Sequence, residues 1–468
     1  MRHRSLVLLL LIPLLVSAGS PEDRIRELED ELRKHPGYRF EIHNELRHLY
    51  SDIDPKRSLH HSDVILEHSP MHGYILDILA GWEKDPVRAS ERLLEWPRTY
   101  PEFPFVAAAC QLRAGDVLKN SDPARSRSFY QQVARSKGAE LETYRTMAEV
   151  RLASARRSVS VTPPPWKVPV LELRYFPLAA DGKNLDLSVT SNVDAPLGEV
   201  RARCDRMTLE TIQALEQGSR FRAYKNPAAK PSLDYYVVDT LEYLEPVPHD
   251  PDKALRADYG AILKRAGLRK YIQEKGVKEV WIWGYHSPEL HPWESNFSSV
   301  HGDLSNSDRD EGDLPLFAPS YTVYHYNYQR ETDMAVHNHI HQIEALMRHH
   351  GGELWRRFEG EPGKWRSGNC HFPPNGRHDY DYANKEYVQS DIEDWKPEGF
   401  GKKQLLNCDR WGGDDLRWYV YWMQSIPGQA NRLVYQGRPL TNWWVFLGDH
   451  DAAVAAGVGT VVLSRPAR

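Results

Sequence analysis

Three consecutive prolines, Pro163-Pro164-Pro165, constrain this chain more than any other feature. Proline fixes φ and lacks the N–H that a helix interior needs, so the segment 159–169 cannot continue a helix and reads as an extended linker. The pattern differs on its two sides. From Pro21 to about Ser158, apolar residues recur at threes and fours, with breaks at Pro36-Gly37, Ser69-Pro70, Asp85-Pro86, Pro101 to Pro104 and Ser121 to Pro123. Breaks at that spacing predict paired antiparallel helices, and Asp122-Pro123 to Leu152 looks like one repeat of the tetratricopeptide kind. The small and aromatic positions of that repeat are not filled regularly, and a plain helical bundle fits the same breaks. Either arrangement over residues 21–158 predicts a surface for a protein partner.

Beyond the linker the runs become β-branched and aromatic. Val168 to Phe176, Tyr235 to Leu244 and Val277 to Trp283 predict strands; Leu209 to Gln217 and Lys253 to Lys275 predict helices. Residues 170–468 are therefore expected to form a mixed α/β domain. Val277 to Trp283 has the content of a central strand, whose C-terminal end points at the site in such sheets. Gly457 to Gly459 ends in apolar residues and reads as a last strand.

The start of the chain carries an address. Residues 1–18 hold Arg2 and Arg4, an apolar run from Leu6 to Val16, and small residues at Val16-Ser17-Ala18, the arrangement of a cleaved secretory signal. A span needs about 18 or more apolar residues, and this run is shorter and broken by Pro13. A secreted or periplasmic protein with no integral membrane segment after cleavage is the expectation. Export permits disulfides among Cys110, Cys204, Cys370 and Cys408, with Cys370–Cys408 the favoured pair and Cys110 a buried inert thiol. Lys+Arg 60 against Asp+Glu 65 leaves a net charge of -5 and no broad positive field, which argues against a nucleic-acid partner.

Tryptophan and histidine locate the chemistry: 12 of the 14 Trp lie at or after Trp166, and 11 of the 21 His lie between His286 and His378. The loop after the central strand holds His286, Glu289, His291, Trp293 and Glu294. Tyr321 to Tyr328 reads as an edge or half-buried strand, and Glu331 to His350 as a helix. On that helix His337, His341 and Glu344 are spaced i, i+4 and i+7, so about 100 degrees per residue places them on one face. Two imidazoles four apart on a helix can close on one tetrahedral zinc ion. A polar helix face, or histidines hydrogen-bonded in a core, produces the same pattern.

Strand, loop, edge strand and a helix with H-x-x-x-H resemble the zincin metallopeptidases, whose helix reads H-E-x-x-H. The resemblance implies a zinc or other divalent ion on His337 and His341, and peptidase-like hydrolysis. Asn338 stands where that family has its catalytic glutamate, and an amide cannot take a proton from water, so Glu294, Glu289 or Glu331 would have to act as base. The third-ligand position of the metzincin branch, six after His341, is Met347. The region from Val280 to Asp451 also resembles a group of exported bacterial proteins with no assigned activity, through the runs around Glu294-Ser295-Asn296, His337 to Met347, Cys370 to Asn375 and Asn442-Trp443-Trp444.

From Gly368 to Asn384, paired prolines and Asn375-Gly376 without apolar periodicity predict an ordered loop. His371, Asp379 or Asp381 can supply a further metal ligand there, although Asp379 and Asp381 also suit turns and helix caps. Trp293, Trp411 and Trp443, among carboxylates and amides, can stack on a sugar ring or simply pack. Together with His286, Asn338, Asp379 and Asp381 they form a candidate pocket for a peptide or glycan. Three roles follow from these residues: a metal-assisted hydrolase of an extracellular polymer using His337, His341, Glu344 and His371; a non-catalytic glycan- or peptide-binding module; and an envelope scaffold acting through the helical domain.

Overall fold

The structure is a computed structural model that describes residues 21–34, 40–50, parts of 53–64, 85–154 apart from 100, 102 and 103, and 161–461 apart from 192, 194, 250–255, 303, 308–313 and 362. Residues 1–18, read above as a secretory signal, and the breaks at Pro36-Gly37 and Ser69-Pro70 lie outside the described residues. Two compact units divide the chain between Ala148 and Glu149.

The first unit is helical. Asp85 and Asp122 each cap a helix that begins with proline, at Pro86–Leu93 and Pro123–Ala134, and each carboxylate accepts first-turn backbone N–H groups. The two Asp-Pro breaks in the sequence are thus helix starts. Both helices pack on Pro104–Leu118 around Leu93, Val106, Cys110, Ala114, Leu118 and Phe129. Pro21–Lys34 and Phe40–Tyr50 share a separate apolar contact through Ile25, Leu28, Ile42 and Leu46. Burial pushes the Cys110 thiol up to about 12, as expected of an inert core cysteine.

The second unit is mixed α/β and is built on a five-stranded sheet. Its strands are β1 (Trp166–Tyr175), β2 (Leu233–Tyr243), β3 (Glu279–Gly284), β4 (Ser295–Ser298) and β5 (Tyr321–Asn327), in the order β2-β1-β3-β5-β4. All neighbours are parallel except β4, which runs antiparallel to β5 at the edge. β3 is buried along its whole length because strands flank it and helices cover the sheet, which explains its unbroken apolar run.

Several sequence expectations change here. β1 begins at Trp166, inside the segment read as linker, and Pro169 is tolerated within it while its carbonyl accepts the Lys278 N–H. β5 is interior and not an edge, since it pairs with β3 on one side and β4 on the other, and its polar-looking Tyr and His side chains are all buried. The expected helix ending at Lys275 is two helices, Tyr259–Arg265 and Leu268–Lys275, separated by Gly267 at φ 65. Leu209 to Gln217 is the end of a longer helix, Leu197–Gly218. Gly457 to Gly459 is a turn leading to one bridge, Leu440 with Val461.

The helix Thr332–Gly351, here the central helix, packs on β4, β5, Leu197–Gly218 and the helix Asp415–Met423. Behind it Trp355, Trp395, Trp422, Trp443 and Phe358 stack on one another with centroids 5.2 to 6.2 Å apart. Truncating one such indole to alanine costs about 3–5 kcal/mol. Trp166, Trp281, Trp283, Trp411, Trp418 and Trp444 are buried as well, so core packing accounts for most of the tryptophan concentration. No helix among the described residues is long and apolar enough to cross a membrane.

Candidate metal centre

The central helix divides its three clustered histidines by geometry. His339 lies about 200 degrees from His337 and turns into the sheet, where its Nε2 meets the Tyr326 hydroxyl at 2.6 Å and its ring stacks on Tyr324 at 3.8 Å. His337 and His341 share the opposite face, with ring centroids 4.4 Å apart.

His371 comes to meet them from the loop. Gly368, at φ 74, has no room for a side chain because a Cβ would overlap the Phe372 carbonyl oxygen. Asn369 then accepts the His371 and Phe372 N–H groups at 3.0 and 2.9 Å, and its amide donates to Glu359. This turn presents Cys370 and His371 to the helix. His341 Nε2 and His371 Nε2 are 3.1 Å apart, and the His337 and His371 rings stack at 5.3 Å. One donor atom each from His337, His341, Cys370 and His371 lies within 4.8 Å of the other three. The group is capable of holding a metal ion, and the donor chemistry fits one: both nitrogens of buried His337 have no hydrogen-bond partner, a cost that ligation relieves.

One carboxylate orients His341 from behind, and a second stands near His371 beyond hydrogen-bond distance. Glu344 Oε2 lies 3.3 Å from His341 Nδ1, and Asp379 Oδ1 lies 3.7 Å from His371 Nδ1. Glu344, read from its spacing as a ligand, is therefore the partner of one, and it also accepts the Cys370 N–H at 2.9 Å. Burial opposes charge on both His341 and Glu344. Their mutual hydrogen bond and attraction, with Glu294 adding to His341 and with Arg348 and the Cys370 N–H adding to Glu344, together outweigh it, holding His341 above the usual imidazole value and Glu344 below the usual carboxylate value. Burial, with His341 and His371 adjacent, lowers His337 to about 3 and keeps it neutral, the form that binds a metal. Burial, followed by the charges of Glu344 and Glu294, pushes the Cys370 thiol well above its ordinary value.

Of the three candidate bases, the fold brings Glu294 to the cluster. Its oxygens lie 3.9 Å from His337 Nδ1 and 4.0 Å from His341 Nε2, and Oε2 accepts the Asn306 amide at 2.6 Å. Glu289 is exposed at the tip of the Ser287–Leu290 turn, and Glu331 pairs with Arg206 just before the central helix. Neither joins the group. Asn338 donates to the His325 carbonyl at 3.3 Å, a contact that the acceptor-only carboxylate of a glutamate could not make.

The remaining candidates fall elsewhere. His286 stacks on His291 at 4.2 Å, and Arg256 covers the Trp293 ring at 4.2 Å. Asp381 accepts Arg377 N–H and the Asn384 amide, holding the loop as a turn residue. Trp411 is buried, donating to the Tyr382 carbonyl and packing on Trp418, and Trp443 lies in the indole stack, so packing occupies the faces a sugar would need. The four cysteines are unpaired; Cys370 approaches the His337 carbonyl and Cys408 the Ala383 carbonyl, which separates the pair the sequence favoured.

Two residues were not singled out as site residues. Cys370 was read only as a disulfide partner, although its adjacency to His371 is a ligand-type signal. Tyr380 is held at φ 61 with its hydroxyl 3.4 Å from His371 Nε2 and its ring half exposed over the group. A tyrosine in that backbone region costs about 1–3 kcal/mol and marks a place where the surroundings enforce it. No protein-family model matches the chain, and no curated protein matches it in sequence.

Proposed function

We propose that the second unit is a metal-assisted, peptidase-like hydrolase acting on an extracellular polymer, with His337, His341 and His371 as ligands of zinc or another divalent ion. The observation that carries this reading is Glu294: an accessible carboxylate within 4.0 Å of two of the three imidazoles. An ion bound there supplies Lewis acidity toward a water and a substrate carbonyl. Glu294 would be the residue placed to take a proton from a water there and to pass it to the leaving group, in the role Asn338 cannot fill, and Asn306 fixes the carboxylate for it. Glu344 keeps His341 in the required orientation. Tyr380 directs its hydroxyl to the same opening, where it donates to a developing oxyanion. The order β3, loop, β4 and β5, then the central helix supports a zincin-like reading of the fold. The paired helices Pro104–Leu118 and Pro123–Ala134 support reading the first unit as a repeat-like surface for a protein partner.

A second reading is favoured by Cys370. If its sulfur joins the three imidazoles the coordination sphere is closed, and the ion is structural. Cobalt substitution separates the two, since only a thiolate ligand adds near-ultraviolet sulfur-to-metal charge transfer. The hydrolase reading is tested by incubating the zinc-loaded full chain with an unlabelled peptide mixture and reading cleavage by mass spectrometry. Cleavage that is lost in Glu294→Gln while zinc remains bound is the expected result. Absent cleavage, or cleavage that Glu294→Gln leaves intact, overturns it.

A further inference from the structure

The turn between β5 and the central helix ends on Arg330, an exposed residue whose backbone is held from several directions. The Arg330 N–H donates to the Asn327 carbonyl at 3.0 Å, and the preceding Gln329 N–H donates to Asn327 Oδ1 at 2.9 Å. The Gln329 side chain donates to the Thr190 carbonyl at 2.8 Å and accepts the His286 N–H at 3.0 Å, which ties the turn to the loop that follows β3. Glu331, the adjacent carboxylate, is engaged by Arg206, and among the described residues no carboxylate pairs with Arg330. The guanidinium is therefore an unpaired cation presented from a fixed root.

We infer that Arg330 is the substrate-recognition residue of the candidate metal centre and takes a carboxylate of a peptide, either its C-terminal carboxylate or an acidic side chain. This rests on the hydrolase reading. Tyr380 marks the opening of the centre: its ring is 49% exposed and its hydroxyl lies 3.4 Å from His371 Nε2. Burial, then Cys370, Glu294 and Asp379, raise that hydroxyl above its ordinary value, and the charge of Arg330 opposes them. The same charge acts on His286, which burial and His291 also lower. Arg330 is thus close enough to both walls of the opening to act on a molecule held there. A divalent ion on the imidazoles offsets the charges of Glu294 and Asp379, which leaves the guanidinium to attract an anion. Its planar fork matches a carboxylate with two parallel N–H···O bonds, so the geometry selects a carboxylate-bearing peptide over a neutral one.

The competing explanation is a solvated surface arginine with no ligand. Fluorescence anisotropy of the zinc-loaded Glu294→Gln full chain with three dansylated alanine-phenylalanine hexapeptides separates the two: one with a free C-terminal carboxylate, one amidated, and one amidated with an internal glutamate. The expected result is that at least one carboxylate peptide binds about 10- to 100-fold tighter than the neutral amide. Arg330→Met removes that advantage, while the affinity for the amide and the zinc content stay unchanged. A preference for the free-terminus peptide assigns a C-terminal carboxylate, and a preference for the glutamate peptide assigns an acidic side chain. Equal or absent binding of all three, or an advantage that Arg330→Met leaves intact, overturns the proposal. Cleavage by the wild-type chain is scored separately. A carboxylate preference without cleavage sinks the hydrolase reading alone, and cleavage of all three peptides with equal KM sinks the role of Arg330 alone.

Discussion

Glu344→Gln is the most informative single change at the candidate metal centre, because it keeps the side chain's shape and changes what Oε2 offers to His341 and to Arg348, each 3.3 Å away. Glu344 Oε2 lies 3.3 Å from His341 Nδ1, and Oε1 accepts the Cys370 N–H at 2.9 Å. A glutamine keeps one acceptor for Cys370 and turns an NH2 group toward His341. Nδ1 must then become the acceptor, which moves the ring proton to Nε2, the nitrogen that faces His371. Metal binding has to displace that proton or break the new contact. Loss of such an orienting partner weakens metal affinity about 10- to 100-fold, or about 1.4–2.7 kcal/mol. Isothermal titration of the stripped protein with zinc, in competition with a chelator of known affinity, measures it. An unchanged dissociation constant for the ion that depends on His371 would refute the assignment of Glu344 as the group that orients His341.

Two further outcomes follow from the same structure. Glu279 is fully buried against Tyr235, Trp281 and His339, and burial raises its carboxyl from 4.5 to about 7. The folded chain therefore holds this proton more tightly than the unfolded chain, so the group's contribution to stability falls as pH rises from about 4.5 to 7 and is flat above that. The change amounts to about 3 kcal/mol, and denaturant titrations at several pH values should show that Glu279→Gln removes this slope. Gly368→Ala places a methyl group against the Phe372 carbonyl at a φ of 74, so it should cost at least about 1–3 kcal/mol in thermal unfolding and weaken the His371-dependent metal site. Wild-type melting with intact metal binding would show that the turn is not what presents His371.

How much of this was legible in the sequence depended on whether a regular period carried the information. Val277 to Trp283 and Glu331 to His350 are long, strongly patterned segments, and β3 and the central helix sit within a residue or two of them. The 100-degree rule likewise separated His337 and His341 from His339. Where long-range packing decides, local pattern was silent. β4 is four residues, Ser295–Ser298, with no alternation to read, and β5 looks like an edge because its tyrosines and His325 carry polar atoms, although the fold buries these side chains. Glu294, Glu289 and Glu331 were equivalent on paper, and only the return of the chain into β4 carries Glu294 to the imidazoles. Trp411 and Trp443 have the same neighbours in sequence as ligand platforms do, and burial alone assigns them to the core. Cys370 was misread because an exported chain with four cysteines suggests pairing before it suggests a ligand.

The central claim is that His337, His341 and His371 hold one metal ion. Titrating the stripped protein with cobalt and following the visible absorption tests it most directly. The account predicts that the intense bands of tetrahedral cobalt grow to a defined endpoint and that the His371-dependent part disappears in His371→Ala and in His341→Ala. A spectrum that stays that of the free aqueous ion, or one that neither substitution alters, would contradict it.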